Sequence, residues 1–198
     1  MRHSPRQKLI LASRSPRRRQ LLEEHGFDFE IVPPDERAED GIYSGELPAE
    51  YVARLAYQKA MDVAKRCQEG LFLGCDTVAE LQGRVLGKPR DWEHAREMLS
   101  CMNGKQHRVL SGVCLVHKPE QKILTRVEVT LLKMAEISEE DIEDYLDTGL
   151  WEGKAGGFGL QDGIEWIEVV EGSESNVVGL PMELLQQMLQ EFRSRQEG

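Results

Sequence analysis

From Ala12 to Arg19 the chain reads Ala-Ser-Arg-Ser-Pro-Arg-Arg-Arg, a run crowded with groups that bind anions. Ser15 before Pro16 is an N-cap followed by a residue suited to the first helical position, so a helix begins at Pro16. Arg17, Arg18 and Arg19 then carry the wrong sign for a helix N-terminus, where the macrodipole favours anions. A phosphate would satisfy the free backbone N–H groups, the Ser13 and Ser15 hydroxyls and at least one guanidinium together; the alternative is a solvated basic turn. Asp76 follows the apolar run Leu71-Phe-Leu-Gly-Cys75, and a buried carboxylate there must be paired, metal-bound or catalytic. Asp35-Glu36 is a pair of adjacent carboxylates, ordinary loop chemistry unless phosphate is near, where carboxylates hold Mg²⁺. Lys59 interrupts an apolar helical stripe, four residues after Leu55 and four before Val63. Either its stem snorkels to water or its ammonium serves an internal ligand site. Lys88, in Gly87-Lys-Pro89, is a second candidate phosphate contact.

Periodicity and punctuation supply the elements that must position these groups. Leu9–Ala12 reads as a buried strand, Gly26 stops the first helix, and Phe27–Val32 alternates as a short strand before Pro33-Pro34. Pro48 opens the longest helix, to about Cys67, with Val52, Leu55, Ala56, Ala60, Val63, Ala64 and Cys67 on one face. Leu71–Cys75 is a second buried strand with Asp76-Thr77 at its carboxyl end, where α/β sheets place ligands. Val78–Leu81 and Arg84–Leu86 form a hairpin through Gln82-Gly83. A helix over Trp92–Met102 stops at Asn103-Gly104, and His107–Val116 and Ile123–Met134 are long strands. Ser138 with Asp141 has the spacing of a capping box and starts a helix ending near Thr148-Gly149. Gly153–Gly163 holds five glycines, either a flexible loop or backbone packed closely on a ligand. Ile164–Val170 is a further strand, and Pro181 begins a last helix with Leu184, Leu185, Met188, Leu189 and Phe192 on one face.

With 198 residues, 40% hydrophobic and 30% charged, the chain supports one core, with room for two lobes. A net charge of −10 argues against nucleic-acid and anionic-membrane partners, and no apolar run approaches a membrane span, so a soluble cytoplasmic protein is expected. Cys67, Cys75, Cys101 and Cys114 form no C-x-x-C pair and read as reduced thiols. The histidines lack metal-site spacing.

Ala12-Ser-Arg-Ser-Pro-Arg-Arg18, Asp35-Glu36, Leu55-Ala-x-x-Lys-Ala60, Gly74-Cys-Asp-Thr77, Gly87-Lys-Pro89, Met102-Asn-Gly104 with His107, Ser111-Gly-Val113, Lys154-Ala-Gly156, Leu160-Gln161 and Asn176-Val-Val-Gly-Leu-Pro181 follow one another in order. Together they resemble the Maf (septum formation) family of nucleoside triphosphate pyrophosphatases, from about residue 8 to 192. The resemblance implies an α/β fold, a two-lobed mixed sheet flanked by helices around a central cleft, of the kind shared with inosine triphosphatases. It implies a single domain over residues 1–198, with loose termini at 1–7 and 193–198. It also implies a divalent cation, Mg²⁺ or Mn²⁺, hydrolysis of a nucleoside triphosphate to monophosphate and pyrophosphate, and a homodimer. Carried over by position, the presumed general base is Asp76, Glu36 joins it on the metal, Lys59 and Lys88 are catalytic, and Ser13 and Arg17 form the phosphate turn. Arg17, Thr77 and Gln161 match the selectivity positions of the branch that prefers dTTP and UTP. Two features depart from the family pattern: Gly149-Leu-Trp-Glu-Gly153 replaces a Gly-Glu-Pro turn, and Asp162 follows Gln161 where Gly is usual. Trp151 would stack on a larger ring, or Asp162 accept a base amino group, in the competing reading of a methylated or other nucleotide as substrate. A non-catalytic nucleotide-binding regulator of cell division is the other alternative, and pyrophosphate release separates it from an enzyme.

Overall fold

A computed structural model describes residues 8–120 and 122–194. Residues 1–7 and 195–198, assigned above to loose termini together with 193 and 194, lie outside the described residues, whereas the last helix runs to Ser194. The elements run β1 (Leu9–Ala12), α1 (Pro16–Glu24), β2 (Phe29–Ile31), α2 (Pro48–Arg66), β3 (Gly70–Leu81), β4 (Arg84–Leu86) and α3 (Trp92–Met102). They continue with β5 (Gln106–Lys118), β6 (Lys122–Met134), α4 (Glu139–Asp147), β7 (Ile167–Glu171), α5 (Glu174–Val178) and α6 (Met182–Ser194). Single turns of 3-10 helix lie at Glu36–Ala38, Ala155–Gly157 and Leu160–Asp162.

One seven-stranded sheet carries the order β2-β1-β3-β5-β6-β7, with β4 beside β3. β2, β1 and the first half of β3 are parallel; β5, β6, β7 and β4 pair antiparallel. The mixed pattern gives the chain its two lobes. At the parallel end, α1 and α6 cover one face through Leu22, Leu73, Leu115, Leu185 and Met188. On the opposite face α2 packs Ala56, Ala60 and Val63 against Ile10, Phe72 and Cys114. At the antiparallel end α3 and α4 build a second core around Leu99, Met102, Leu132 and Leu146. No helix among the described residues is long and apolar enough to cross a membrane.

The sequence places a break after Cys75, but β3 is continuous for 12 residues, and Asp76 and Thr77 sit inside it. The unbroken pairing with β5, from Gly70 opposite Lys118 to Glu80 opposite Arg108, carries the strand through the polar pair. On its other edge β1 stops at Ala12 opposite Gly74, and pairing with β4 begins only at Ala79, opposite Leu86. Residues 75–78 therefore have no strand beside them on that edge among the described residues. A gap between two partners on one side of a continuous strand is where the cleft opens.

Two glycines decide how close α2 comes. A Cβ on Gly74 would lie 2.1 Å from the Ala56 carbonyl oxygen, and one on Gly112 would lie 2.1 Å from that of Val52. With no side chain there, the helix backbone rests directly on β3 and β5. That contact brings the next turn of α2, with Lys59, against the residue two positions after Gly74, on the same face of the strand.

Candidate active site

Lys59 and Asp76 meet where α2 crosses β3. Lys59 Nζ lies 2.6 Å from Asp76 Oδ1, and the two residues are only 6% and 9% exposed. Both groups are thus withdrawn from bulk water, and each is the other's compensation. Glu39, in the loop after β2, reaches the same ammonium, with Oε2 at 3.2 Å. The ammonium is therefore directed inward, which rules out the snorkelling alternative for Lys59.

Thr77 points to the opposite face of β3, toward α1 and the α5 region. Its hydroxyl shares a hydrogen bond of 2.7 Å with Ser111 Oγ and donates to the Gly179 carbonyl at 3.2 Å. Arg18, 8% exposed, holds this corner together. It donates through Nε to the Gly179 carbonyl at 2.8 Å, through Nη1 to Ser13 Oγ at 3.1 Å and through Nη2 to Thr77 Oγ1 at 3.2 Å. The turn before α1 is thus preorganised by one of its own arginines. Ser13 Oγ also accepts from the Ser15 amide at 3.2 Å, and the Ser15 cap accepts from the Arg18 amide, as the Ser-Pro signature predicts.

The three first-turn arginines separate into different roles. Arg19 pairs with Glu23 on the surface. Arg18 is structural. Half-buried Arg17 spans the cleft, donating through Nη2 to the Gly153 carbonyl at 2.7 Å. That bond links the turn before α1 to the glycine-rich segment, which is not a floppy loop: Gly156 packs on Ala79 and Phe158, and its φ of +72° would strain any other residue.

A cavity of about 560 Å³ opens between the lobes. Ser13, Arg17, Lys59, Asp76, Thr77, Lys88 and Gln161 all line it, so seven of the eight sequence-derived site positions converge. Glu36 does not; it is exposed at the start of its 3-10 turn, and the carboxylate brought to the cleft from that loop is Glu39. Tyr51 and Arg18 also line the cavity. Arg18 carried a sequence signal, its place in the Ser-Pro-Arg-Arg turn, whereas Glu39 lies in a loop without periodicity.

The cleft holds more positive charge than it neutralises. Burial, then the neighbouring Arg18 and Lys59 charges, pull the Lys88 ammonium below the usual lysine range. Burial and Arg18 pull Arg17 down in the same way. Cations that disfavour one another in a polar cavity are the setting in which a polyanion binds. Oxygen donors from Asp76 and Glu39 converging on one cationic point also suit a hard divalent ion, which takes one or two carboxylates and completes its shell with phosphate oxygens. No cluster of three or more His, Cys, Asp or Glu stands ready for a metal among the described residues.

Of the two departures from the family pattern, Glu152 and Gly153 line the cavity, whereas Trp151 and Asp162 do not. Trp151 is 8% exposed within the α3–α4 core and donates Nε1 to the Leu146 carbonyl at 2.9 Å, so it is not placed to stack on a ring. Asp162 accepts from the Tyr145 hydroxyl through Oδ2 at 2.8 Å and from the Lys154 ammonium through Oδ1, and its side chain is only 3% exposed, turned away from the cavity lining.

The family model for Maf-like proteins matches residues 8–192. A dTTP/UTP pyrophosphatase of Rhodopirellula baltica is 48% identical over 190 residues, covering 96% of this chain and 84% of that protein. A dTTP/UTP pyrophosphatase of Ruminiclostridium cellulolyticum is 40% identical over 188 residues, covering 94% of this chain and 97% of that protein. Among solved structures, a HAM1 protein from Coxiella burnetii aligns with a TM-score of 0.49 at 15% identity, over 93% of this chain and 99% of that one.

Proposed function

The chain belongs to the family of Maf-like proteins, and on that premise we propose that it hydrolyses nucleoside triphosphates, dTTP and UTP above others, to the monophosphate and pyrophosphate. The observation that carries the reading is the buried Lys59–Asp76 pair at the unpaired edge of β3, facing a cavity whose other wall holds Ser13, Arg17 and Lys88. A carboxylate held beside an anion-binding wall suits water attack on a phosphate, and a purely regulatory nucleotide site needs no such carboxylate.

In this mechanism the triphosphate lies against Ser13, Arg17 and Lys88, whose excess positive charge it relieves. Asp76 uses Oδ1 for Lys59, and no described residue donates to Oδ2. That oxygen takes the proton of a water as the water oxygen bonds to the α-phosphorus. The bond from the α-phosphorus to the bridging oxygen breaks, and pyrophosphate carries away the electron pair. Lys59 holds the Asp76 carboxylate in place and adds positive charge beside the reacting phosphate. Asp76 and Glu39 would hold the divalent cation, which when bound supplies charge neutralisation on the phosphate oxygens. No covalent intermediate is formed.

Thr77 and Gln161 are the base-reading candidates, and a pocket of polar contacts penalises a ligand that leaves them unpaired. The test is pyrophosphate release from a panel of canonical and methylated triphosphates with Mg²⁺ and Mn²⁺. dTTP and UTP should exceed ATP and GTP in kcat/KM. A clear preference for a purine would overturn the selectivity, and failure to release pyrophosphate from any of them would overturn the activity.

A further inference from the structure

Asp162 is the most deeply enclosed carboxylate near the cleft outside the catalytic pair, with its side chain 3% exposed. It does not line the cavity; its neighbour in sequence, Gln161, does. Each of its oxygens has a partner within the protein. Lys154, 8% exposed, pairs with Oδ1, and the Tyr145 hydroxyl of α4 donates to Oδ2 at 2.8 Å. Tyr145 is itself 7% exposed. The single turn Leu160–Asp162 is thereby tied at its last residue to a phenol on a helix.

That tie matters because of what Gln161 must do. A primary amide has a carbonyl and an NH₂ of nearly the same shape, and it presents either one by rotating. Uracil and thymine show a donor at N3 and an acceptor at O4; cytosine shows an acceptor and a donor at the same places. A mobile glutamine therefore matches both bases and discriminates between neither. Discrimination requires that the amide approach from one fixed direction. In the structure the Gln161 amide and the Asp162 carboxylate lie about the same point: a Cβ on Gly159 would stand 3.0 Å from both Gln161 Nε2 and Oε1 and 3.1 Å from Asp162 Oδ2. The amide thus lies folded over the Gly159 backbone, next to the carboxylate that pins the turn.

Resting on the pyrophosphatase reading of this cleft, we propose that Asp162, clamped between Lys154 and Tyr145, is a positioning residue for base selection that acts through Gln161 and touches no substrate. The clamp sets the turn, the turn sets the amide, and the amide separates uracil and thymine from cytosine.

The test compares kcat/KM for UTP and CTP in the wild type, Asp162→Ala, Asp162→Asn, Tyr145→Phe, Gln161→Ala and the Asp162→Ala/Gln161→Ala double variant. Loss of one positioned hydrogen bond is worth roughly tenfold, so Asp162→Ala should lower the UTP-to-CTP ratio about tenfold with kcat for UTP within about threefold of wild type. Asp162→Asn, which still accepts from Lys154 and bonds Tyr145, should restore most of the ratio. The double variant should discriminate no worse than Gln161→Ala alone, because both changes remove one device. A folded Asp162→Ala protein with an unchanged ratio, or a double variant whose losses add, overturns the proposal. Should Asp162→Ala not fold, Tyr145→Phe decides, since it keeps the ion pair: a reduced ratio supports the clamp and an unchanged ratio overturns it. A wild type that turns over neither nucleotide would defeat the activity reading instead, and the dissociation constants for UTP and CTP in the same variants would then test the clamp.

Discussion

Lys59→Met isolates the pair at the centre of the cleft. The apolar stripe of α2 alone predicts that methionine there keeps or raises stability, because it fills an apolar position. The structure reverses that expectation. Lys59 Nζ is 2.6 Å from Asp76 Oδ1, and both residues are buried. Methionine fits the stripe but leaves the Asp76 charge without its partner. Breaking a buried pair by removing one member costs about 3–5 kcal/mol, and because Asp76 borders a cavity that admits water, about 2–3 kcal/mol is expected here. In a chain of this size each kcal/mol moves Tm by about 2–4 °C, so Lys59→Met should melt about 4–12 °C lower. Asp76→Asn removes the charge that needs compensation, so Lys59→Met/Asp76→Asn should recover most of the loss, with a coupling of at least about 1 kcal/mol in the double-mutant cycle. Urea and thermal unfolding of the wild type and the three variants measure all of these quantities. A Lys59→Met protein as stable as the wild type, or a cycle whose terms simply add, would refute the assignment of Lys59 as the partner of Asp76.

Asp76→Asn should lower turnover by at least about 100-fold, the low end for losing a general base, with an unaltered circular dichroism spectrum; near-normal turnover would remove Asp76 from the mechanism. Gly74→Ala puts a Cβ 2.1 Å from the Ala56 carbonyl oxygen, so α2 must move; a loss of at least about 3 kcal/mol in urea unfolding is expected, and a neutral effect would contradict the close packing of α2 on β3. His107 gives a pH signature. Burial lowers its pKa to about 4, so between about pH 6.5 and 4 the unfolded chain binds the extra proton and stability falls with acidification, by up to about 3 kcal/mol. His107→Leu should flatten that part of the stability profile, and an unchanged slope would show that other groups set it. Lys88 gives a second. Its ammonium is depressed by burial and neighbouring cations, and a bound triphosphate raises it again, so its contribution to affinity is complete below the free protein's pKa and is lost as pH rises through the bound value. Calorimetric titration of a triphosphate over alkaline pH should show weaker binding at high pH, and less pH dependence in Lys88→Met.

The helices were legible because their signals are local. The apolar face of α2, the Ser15-Pro16 start of α1 and the Ser138–Asp141 box each lie within a few residues, and the structure places those elements where the spacing puts them. In sequence β3 reads as a strand followed by a separate hairpin because Asp76-Thr77 looks like a boundary; only the long-range pairing with β5 shows that the strand continues. The same limit explains the acidic loop. Glu36 and Glu39 are both unremarkable loop carboxylates in sequence, and which one meets Lys59 depends on how the loop after β2 lies across α2. The roles of Arg17 and Arg18 divide likewise on contacts to Gly153 and Gly179, more than 130 residues away. α5 is not legible in sequence because a five-residue helix carries too little periodicity. Trp151 and Asp162 look like base-contacting candidates in sequence, yet one fills a core and the other is enclosed with Lys154 and Tyr145, facts that only tertiary packing supplies.

The central claim is water attack at the α-phosphorus by way of Asp76. Hydrolysis of UTP by the wild-type protein in ¹⁸O-labelled water, followed by mass spectrometry of the products, tests it most directly. The account predicts UMP carrying one ¹⁸O and pyrophosphate carrying none. Label in pyrophosphate, or formation of UDP and orthophosphate, would contradict it.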